Sequence, residues 1–190
     1  RSLAYFDDEA VKYPGTLYAY DSSASFILGA IVERVTGKPF LKYMQEKFLD
    51  VTGFSEDAYC LKCPGGHSWG DSGIMCTSRD LWRFARFVLN YGTWDGKRYL
   101  NEEYIKTATS PLAPNSNFGF RDLHSTEGYG YQFWCADRGC FATKGMGNQV
   151  SFCDPEHDLI FVITSDNQGY HGIAYQMMYR ELYDHIIDNL

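Results

Sequence analysis

The apolar positions of this chain change period partway along it. From about Ser25, the residues Leu28, Ile31, Val32 and Val35 recur at three- and four-residue steps, and Gly37 followed by Pro39 stops the run, which predicts a helix. A second helix follows at once, with Phe40, Tyr43, Met44 and Phe48 on one side and an end near Gly53. Ser55 to Gly73 is dominated by turn residues and reads as a long loop, where function tends to concentrate. A third helix has Leu81, Phe84, Ala85, Val88 and Leu89 as its buried stripe, with Thr77 or Ser78 as cap and Asp80 at its positive end. Asp95-Gly96 marks a tight turn, Asn101 caps a short helix to about Thr109, and Pro111 to Glu127 reads as a polar surface loop. Arg1 to Tyr13 has no clear period and is expected to be irregular or a short helix; Pro14-Gly15 is a turn signal.

Beyond that point the period is that of strands. "YGYQFWCAD", "CFATKGMG", "QVSFCDP" and "LIFVITSD" are short runs rich in aromatic and β-branched residues, separated by Arg138-Gly139, Gly147 and "DPEHD". They predict four consecutive strands in an antiparallel meander. A closing helix is expected from about Gly172 to Asn189, where Ala174, Met178, Leu182 and Ile186 repeat every four positions. Helices, then hairpins, then a helix is the α+β order: an antiparallel β-sheet meander flanked by helices.

The 190 residues, 45% of them hydrophobic, suit a single domain, residues 1–190, with a sizeable core. A formal charge of −7 without Lys/Arg clusters excludes nucleic acid as partner. The longest aliphatic and aromatic run, Leu159 to Ile163, falls far short of the about 20 residues a bilayer span needs, so no membrane segment is expected. Cys60, Cys63, Cys76, Cys135, Cys140 and Cys153 read as reduced, mostly buried thiols. Two other readings stand beside this one: a metal site from Cys60, Cys63, His67 and Cys76, and a disulfide. The histidines are scattered, and none forms an i, i+4 pair on a predicted helix, so a metalloprotease reading fails. No metal and no cofactor are expected.

Hydroxyl groups crowd the mouth of the first predicted helix in "YPGTLYAYDSSASFILGAIVERVTGKPF". This stretch resembles the second motif region of the serine β-lactamase and penicillin-binding protein superfamily. There a Pro-Gly turn precedes a Tyr-x-Asn or Ser-x-Asn triplet and then a helix ending in Glu-x-x-x-Gly. Tyr20-Asp21-Ser22 occupies the triplet. The resemblance continues through "GGHSWGDSGIMCTSRDLWRFARFVLNYGTWDGKRYL" and "GYGYQFWCADRGCFATKGMGNQVSFCDPEHDLIFVITSD", in the family's order. The branch it looks most like holds the class C β-lactamases, esterases and 6-aminohexanoate-oligomer hydrolases.

In that family an acyl-enzyme forms on the Ser of a Ser-x-x-Lys motif, Lys and Tyr handle the proton, and backbone N–H groups hold the oxyanion. The resemblance implies that Tyr20 is the proton-shuttling Tyr and that Ser22 stands where the family has Asn, keeping a hydrogen-bonding group but losing the paired amide. Thr143-Lys144-Gly145 fills the third motif with the basic residue displaced by one position, and strand alternation then points Lys144 to the face opposite Thr143. Gly145 leaves room for substrate at the strand edge, the Met146 N–H matches the family's second oxyanion donor, and Asn148 and Gln149 resemble the amide-bearing end of the motif. Tyr20, Ser22 and Met146 are thus the catalytic candidates, and Thr143, Lys144, Gly145, Asn148 and Gln149 the substrate-binding ones. The plain structural alternative makes Tyr20 a half-buried aromatic beside a capping serine.

None of the eight lysines, at positions 12, 38, 42, 47, 62, 97, 106 and 144, follows a serine at the Ser-x-x-Lys spacing, and only 19 residues precede Tyr20. The expectation is therefore a partial serine β-lactamase-like fold: the C-terminal portion of a longer serine hydrolase, lacking the Ser-x-x-Lys region and inactive alone. In the full protein it would act on amide, ester or β-lactam bonds of a small-molecule or peptide substrate. A degenerate binding or structural module of the same fold is the alternative. A sheet lacking its first strands would expose an edge and apolar surface, so self-association is expected. Reduced thiols point to the cytoplasm and penicillin-binding relatives to the cell envelope, and the compartment stays open.

Overall fold

The computed structural model describes residues 18–115 and 127–167, together with residues 13, 15, 181, 182, 185, 186 and 189. The expectations for Arg1 to Lys12, and for most of the closing helix, lie outside these residues. The chain divides into two compact units, Arg1–Phe84 and Ala85–Leu190, and each is taken by itself.

In the first unit, helix α1 spans Ser22–Thr36 and starts earlier than the apolar period suggests. The reason is its cap: Asp21 is extended, and its carboxylate accepts the Ser23 N–H at 2.8 Å, satisfying one of the orphan donors of the first turn. Gly37, at φ 67°, closes the helix by donating its N–H to the Glu33 carbonyl. Helix α2, Phe40–Met44, runs on through a π-helical turn, Gln45–Leu49, and a 3-10 turn, Asp50–Thr52, to Gly53 at φ 75°. Leu41, Leu49 and Phe54 form the buried centre here, with Met44, Phe48, Ala58, Cys60, Ile74, Cys76 and Phe84 packed around it. Each fully buried Leu or Phe contributes about 1.5–3 kcal/mol. The apolar residues of α1 join this core poorly: Leu28, Ile31 and Val35 are 53%, 50% and 79% exposed, and only Gly29 is buried, where a Cβ would lie 3.7 Å from the Gly70 Cα.

The segment from Ser55 to Gly73, expected to be a loop, is more ordered than that. Strands β1 (Tyr59–Cys60) and β2 (Ile74–Met75) pair antiparallel, and a Lys62–Ser68 bridge and a Cys63 N–H to His67 carbonyl bond of 2.9 Å close the excursion between them. Helix α3, Ser78–Leu89, begins with a reciprocal cap. The Thr77 hydroxyl accepts the Asp80 N–H at 3.2 Å while the Asp80 carboxylate accepts the Thr77 N–H at 2.9 Å, so Thr77 rather than Ser78 is the cap.

In the second unit, the last turns of α3 bury Ala85, Phe87, Val88 and Leu89. Strands β3 (Thr93–Trp94) and β4 (Lys97–Arg98) form a hairpin on Asp95-Gly96, both left-handed, as the sequence expects. Asn101 caps α4, Glu102–Ala108, accepting the Tyr104 N–H at 3.0 Å. A five-stranded antiparallel sheet follows in chain order: β5 (Gly128–Tyr129), β6 (Trp134–Cys135), β7 (Phe141–Gly145), β8 (Gln149–Asp154) and β9 (Leu159–Ile163). The meander has five strands rather than four because "YGYQFWCAD" folds back on itself, with Gln132 at φ 67° in the turn. Ala113 bridges Tyr129, so part of the polar "loop" before the sheet pairs with β5. Ala142, Val150 and Phe152 form the core of one sheet face with Ala136, Cys140 and Leu182, the last being a residue of the expected closing helix.

Candidate active site

Tyr20 stands two positions before α1, 48% exposed, with the exposed Ser22 as the first helical residue. The cap is Asp21, not a serine, which leaves the Ser22 hydroxyl at the positive end of the helix. Tyr18, by contrast, is buried, and burial followed by the neighbouring Tyr20 pushes its phenol well above the usual range. Tyr18 is therefore a core residue, and Tyr20 is the half-exposed one of the two.

Glu33 is a residue whose importance sequence reasoning missed, although the Glu-x-x-x-Gly pattern contained it. Its carboxylate accepts the Phe40 N–H at 3.0 Å and the Ser68 N–H at 3.3 Å, and pairs with His67 Nδ1 at 3.1 Å. Partial burial raises its pKa, but hydrogen bonds from Ser68, Phe40 and His67 outweigh that, and the net shift is downward. One side chain thus ties the end of α1 to the start of α2 and to the 62–68 excursion. Beside it a groove of about 550 Å³ is lined by Phe26, Ile27, Ala30 and Ile31 and by the basic Arg34, Lys38, Lys62 and His67.

In the second unit the other candidates share one hairpin. Thr143 pairs with Ser151, Lys144 with Val150 and Gly145 with Gln149. Alternation puts Lys144 on the face of Ala142 and Val150, and its ammonium lies 5.3 Å from the centre of the Trp134 ring; Thr143 takes the opposite face. The connection Met146–Gly147–Asn148 has Gly147 at φ 79° and Asn148 at φ 67°. The Met146 side chain is 73% exposed, whereas Asn148 is 2% exposed. The Gln149 amide nitrogen donates to the carbonyls of Ser165 and Gly147. Tyr20 and Ser22 thus belong to the first unit, and Thr143 through Gln149 to the second.

The remaining chemistry-bearing residues have structural employment. Cys60 and Cys76 pack in the first core; burial pushes both thiols up, Cys76 to about 11 with the Asp80 carboxylate as a second cause. All six cysteines are free thiols, with Cys135, Cys140 and Cys153 buried. Among the described residues no group of three His, Cys, Asp or Glu is placed to hold a metal ion, and no helix is long and apolar enough to cross a membrane. His157 is a turn residue whose Nδ1 lies 2.7 Å from the buried Asp154 carboxylate.

The beta-lactamase family model matches residues 2–178. A 6-aminohexanoate-dimer hydrolase of Paenarthrobacter ureafaciens is 27% identical over 165 residues, which is 82% of this chain and 42% of that protein. Among solved structures, one bearing the name of a 6-aminohexanoate-dimer hydrolase, from Bacillus anthracis, superposes with a TM-score of 0.76 at 22% identity over 95% of this chain and 47% of its own. Simvastatin synthase of Aspergillus terreus does so with a TM-score of 0.61 at 16% identity, covering 98% and 61%. This chain therefore spans under half the length of the first two relatives.

The span of the family match corrects three expectations. The likeness is not confined to a C-terminal part, because it runs over nearly all of the chain. For the same reason the α+β fold is not a partial one in this respect, and the reading as a C-terminal part of that fold falls with it. Its basis was the missing Ser-x-x-Lys, one local motif, whereas the family match extends over residues 2–178. With residues 2–178 matched and the α+β sheet order in place, this chain belongs to the beta-lactamase family.

Proposed function

We propose that the protein is a hydrolase of the serine acyl-enzyme type, opening an amide, ester or β-lactam bond in a small-molecule or peptide substrate. The observation that carries this reading is the family match over residues 2–178, which takes in both the Tyr20 triplet and the β7–β8 hairpin. In the reaction a serine oxygen bonds to the carbonyl carbon as the bond to the leaving nitrogen or oxygen breaks. The Tyr20 oxygen receives the serine proton and hands it to the leaving atom; water then repeats the path and releases the acid. Ser22 supports the proton path from the head of α1. The Met146 N–H stabilises the oxyanion, and Thr143, Lys144, Gly145, Asn148 and Gln149 form the strand and turn along which substrate is held.

The exposure of Tyr20 and of Met146 supports these roles. The names of two relatives suggest a 6-aminohexanoate dimer as the first amide to try. Incubation of the intact protein with a fluorescent fluorophosphonate and a fluorescent penicillin, followed by peptide mapping, tests the reading. Covalent label on one serine supports it and identifies the nucleophile; an unlabelled protein that also leaves the dimer intact overturns it.

Self-association belongs to the same reading. Exposed Leu28, Ile31 and Val35 make an apolar stripe on α1, and a second copy of the chain laying the same stripe against it would take that surface out of water.

A further inference from the structure

The turn between β7 and β8 is held from behind by residues that follow β9. A hairpin tip of three residues lies beyond the last ladder pair, Gly145 with Gln149, and Met146, 73% exposed, has little packing to hold it. The segment after β9 supplies what the ladder does not. The Ser165 hydroxyl donates to the Gly147 carbonyl at 2.8 Å, and the Asn167 N–H donates to the same oxygen at 3.3 Å. The Asn167 amide donates to Ser165 Oγ at 3.1 Å, and the Gln149 amide donates to the Ser165 carbonyl and, at 3.4 Å, to the Gly147 carbonyl. The Gly147 carbonyl thus has three donors, all from within the second unit. A Cβ on Gly147 would lie 3.4 Å from the Ser165 carbonyl oxygen, so the clamp sits close against the turn.

We propose that Ser165, with Asn167 and Gln149, is a positioning residue for the oxyanion donor at Met146. Gly145 is fixed by the strand ladder and Gly147 by the clamp, so the one residue between them has its N–H direction set from both sides. A donor contributes to catalysis in proportion to how well it is aimed before the charge develops, because an N–H that must reorient in the transition state loses its advantage over water. Ser165 touches no reacting atom; it acts through the Gly147 peptide. The inference rests on the acyl-enzyme reading above.

The test uses the intact protein with p-nitrophenyl butyrate as probe, and rates are expressed per active site titrated with a fluorophosphonate. Ser165→Ala is expected to lower kcat about tenfold, leave KM within about twofold, and speed amide hydrogen exchange at residues 146–148; Ser165→Thr restores kcat. Asn167→Ala, which removes one donor to Ser165 Oγ, gives a smaller fall of the same kind and serves if Ser165→Ala does not fold. A Ser165→Ala or Asn167→Ala protein with kcat per titrated site unchanged overturns the inference while the wild-type turnover still supports the acyl-enzyme reading. A wild-type protein that neither turns over the ester nor takes the label overturns that reading, and the inference with it.

Discussion

The carboxylate of Glu33, in the last turn of α1, accepts the backbone N–H of Phe40 at 3.0 Å and so sets the corner at which α2 begins. The same carboxylate holds Ser68 and His67. Glu33→Ala leaves these donors to water or to nothing, and a loss of about 1 kcal/mol is expected, since the site is partly open to solvent. The pKa of Glu33 is depressed in the folded chain, so its contribution is complete above the ordinary glutamate pKa of about 4.3 and disappears as the pH falls below it through the lowered folded value. Urea unfolding of the wild type and of Glu33→Ala at pH 7 and at acidic pH checks this. The gap between the two proteins should close towards low pH, and a gap that widens would refute the assignment.

Asp80 carries a larger share of the first unit. It is fully buried, accepts hydrogen bonds from Thr77 N–H, Thr77 Oγ1, Ser55 N–H and Arg83, and its pKa is lowered because these donors outweigh the desolvation that pushes the other way. Asp80→Ala removes the helix cap partner and leaves Arg83 without its counter-charge. A loss of about 3 kcal/mol is expected, at the lower end for a broken buried pair because Arg83 retains some access to water. Chemical denaturation measures it, and a change under about 0.5 kcal/mol, the scale of an ordinary surface substitution, would contradict the assignment.

Features carried by neighbouring residues were legible in the sequence, and those carried by distant ones were not. The Asp95-Gly96 turn, the Asn101 and Thr77 caps and the stops at Gly37 and Gly53 each depend on residues within about one helical turn of each other, so turn and cap chemistry exposes them. The split of the first strand run was hidden because its turn places Gln132, which carries no glycine-like signal, at φ 67°. The start of α1 was missed because Asp21 caps it four residues before Ser25, where the apolar period begins to show. At the candidate site, the Tyr20 triplet and Thr143 to Gln149 could be singled out by resemblance. Glu33 with His67, Ser55 with Asp80 and Gly147 with Ser165 lie 34, 25 and 18 positions apart, and no local pattern announces such pairs. "TSDN" reads as a polar strand end, and only the folded sheet brings Ser165 back beneath the turn.

Association through α1 has a direct test. Leu28, Ile31 and Val35 are at least half exposed, so replacing all three by Gln keeps helix propensity and should alter stability by no more than about 0.5 kcal/mol each. Light scattering should give a dimer or larger species for the wild type and a monomer for the triple variant. A monomeric wild type would remove this part of the proposed function.

Tyr20→Phe isolates the proposed proton path. The ring is 48% exposed at the head of α1 and the cap is made by Asp21, so loss of the hydroxyl should leave the melting temperature nearly unchanged. A proton transfer made in the transition state by a positioned group is worth about a hundredfold or more in rate, and kcat per titrated site should fall by at least that much. Tyr18→Phe is the control: Tyr18 is buried and its effect should fall on stability rather than on kcat. Equal turnover by Tyr20→Phe and wild type would take Tyr20 out of the chemistry, whereas a selective fall in kcat, with Tyr18→Phe still turning over normally, ties the proton to the exposed tyrosine of the pair.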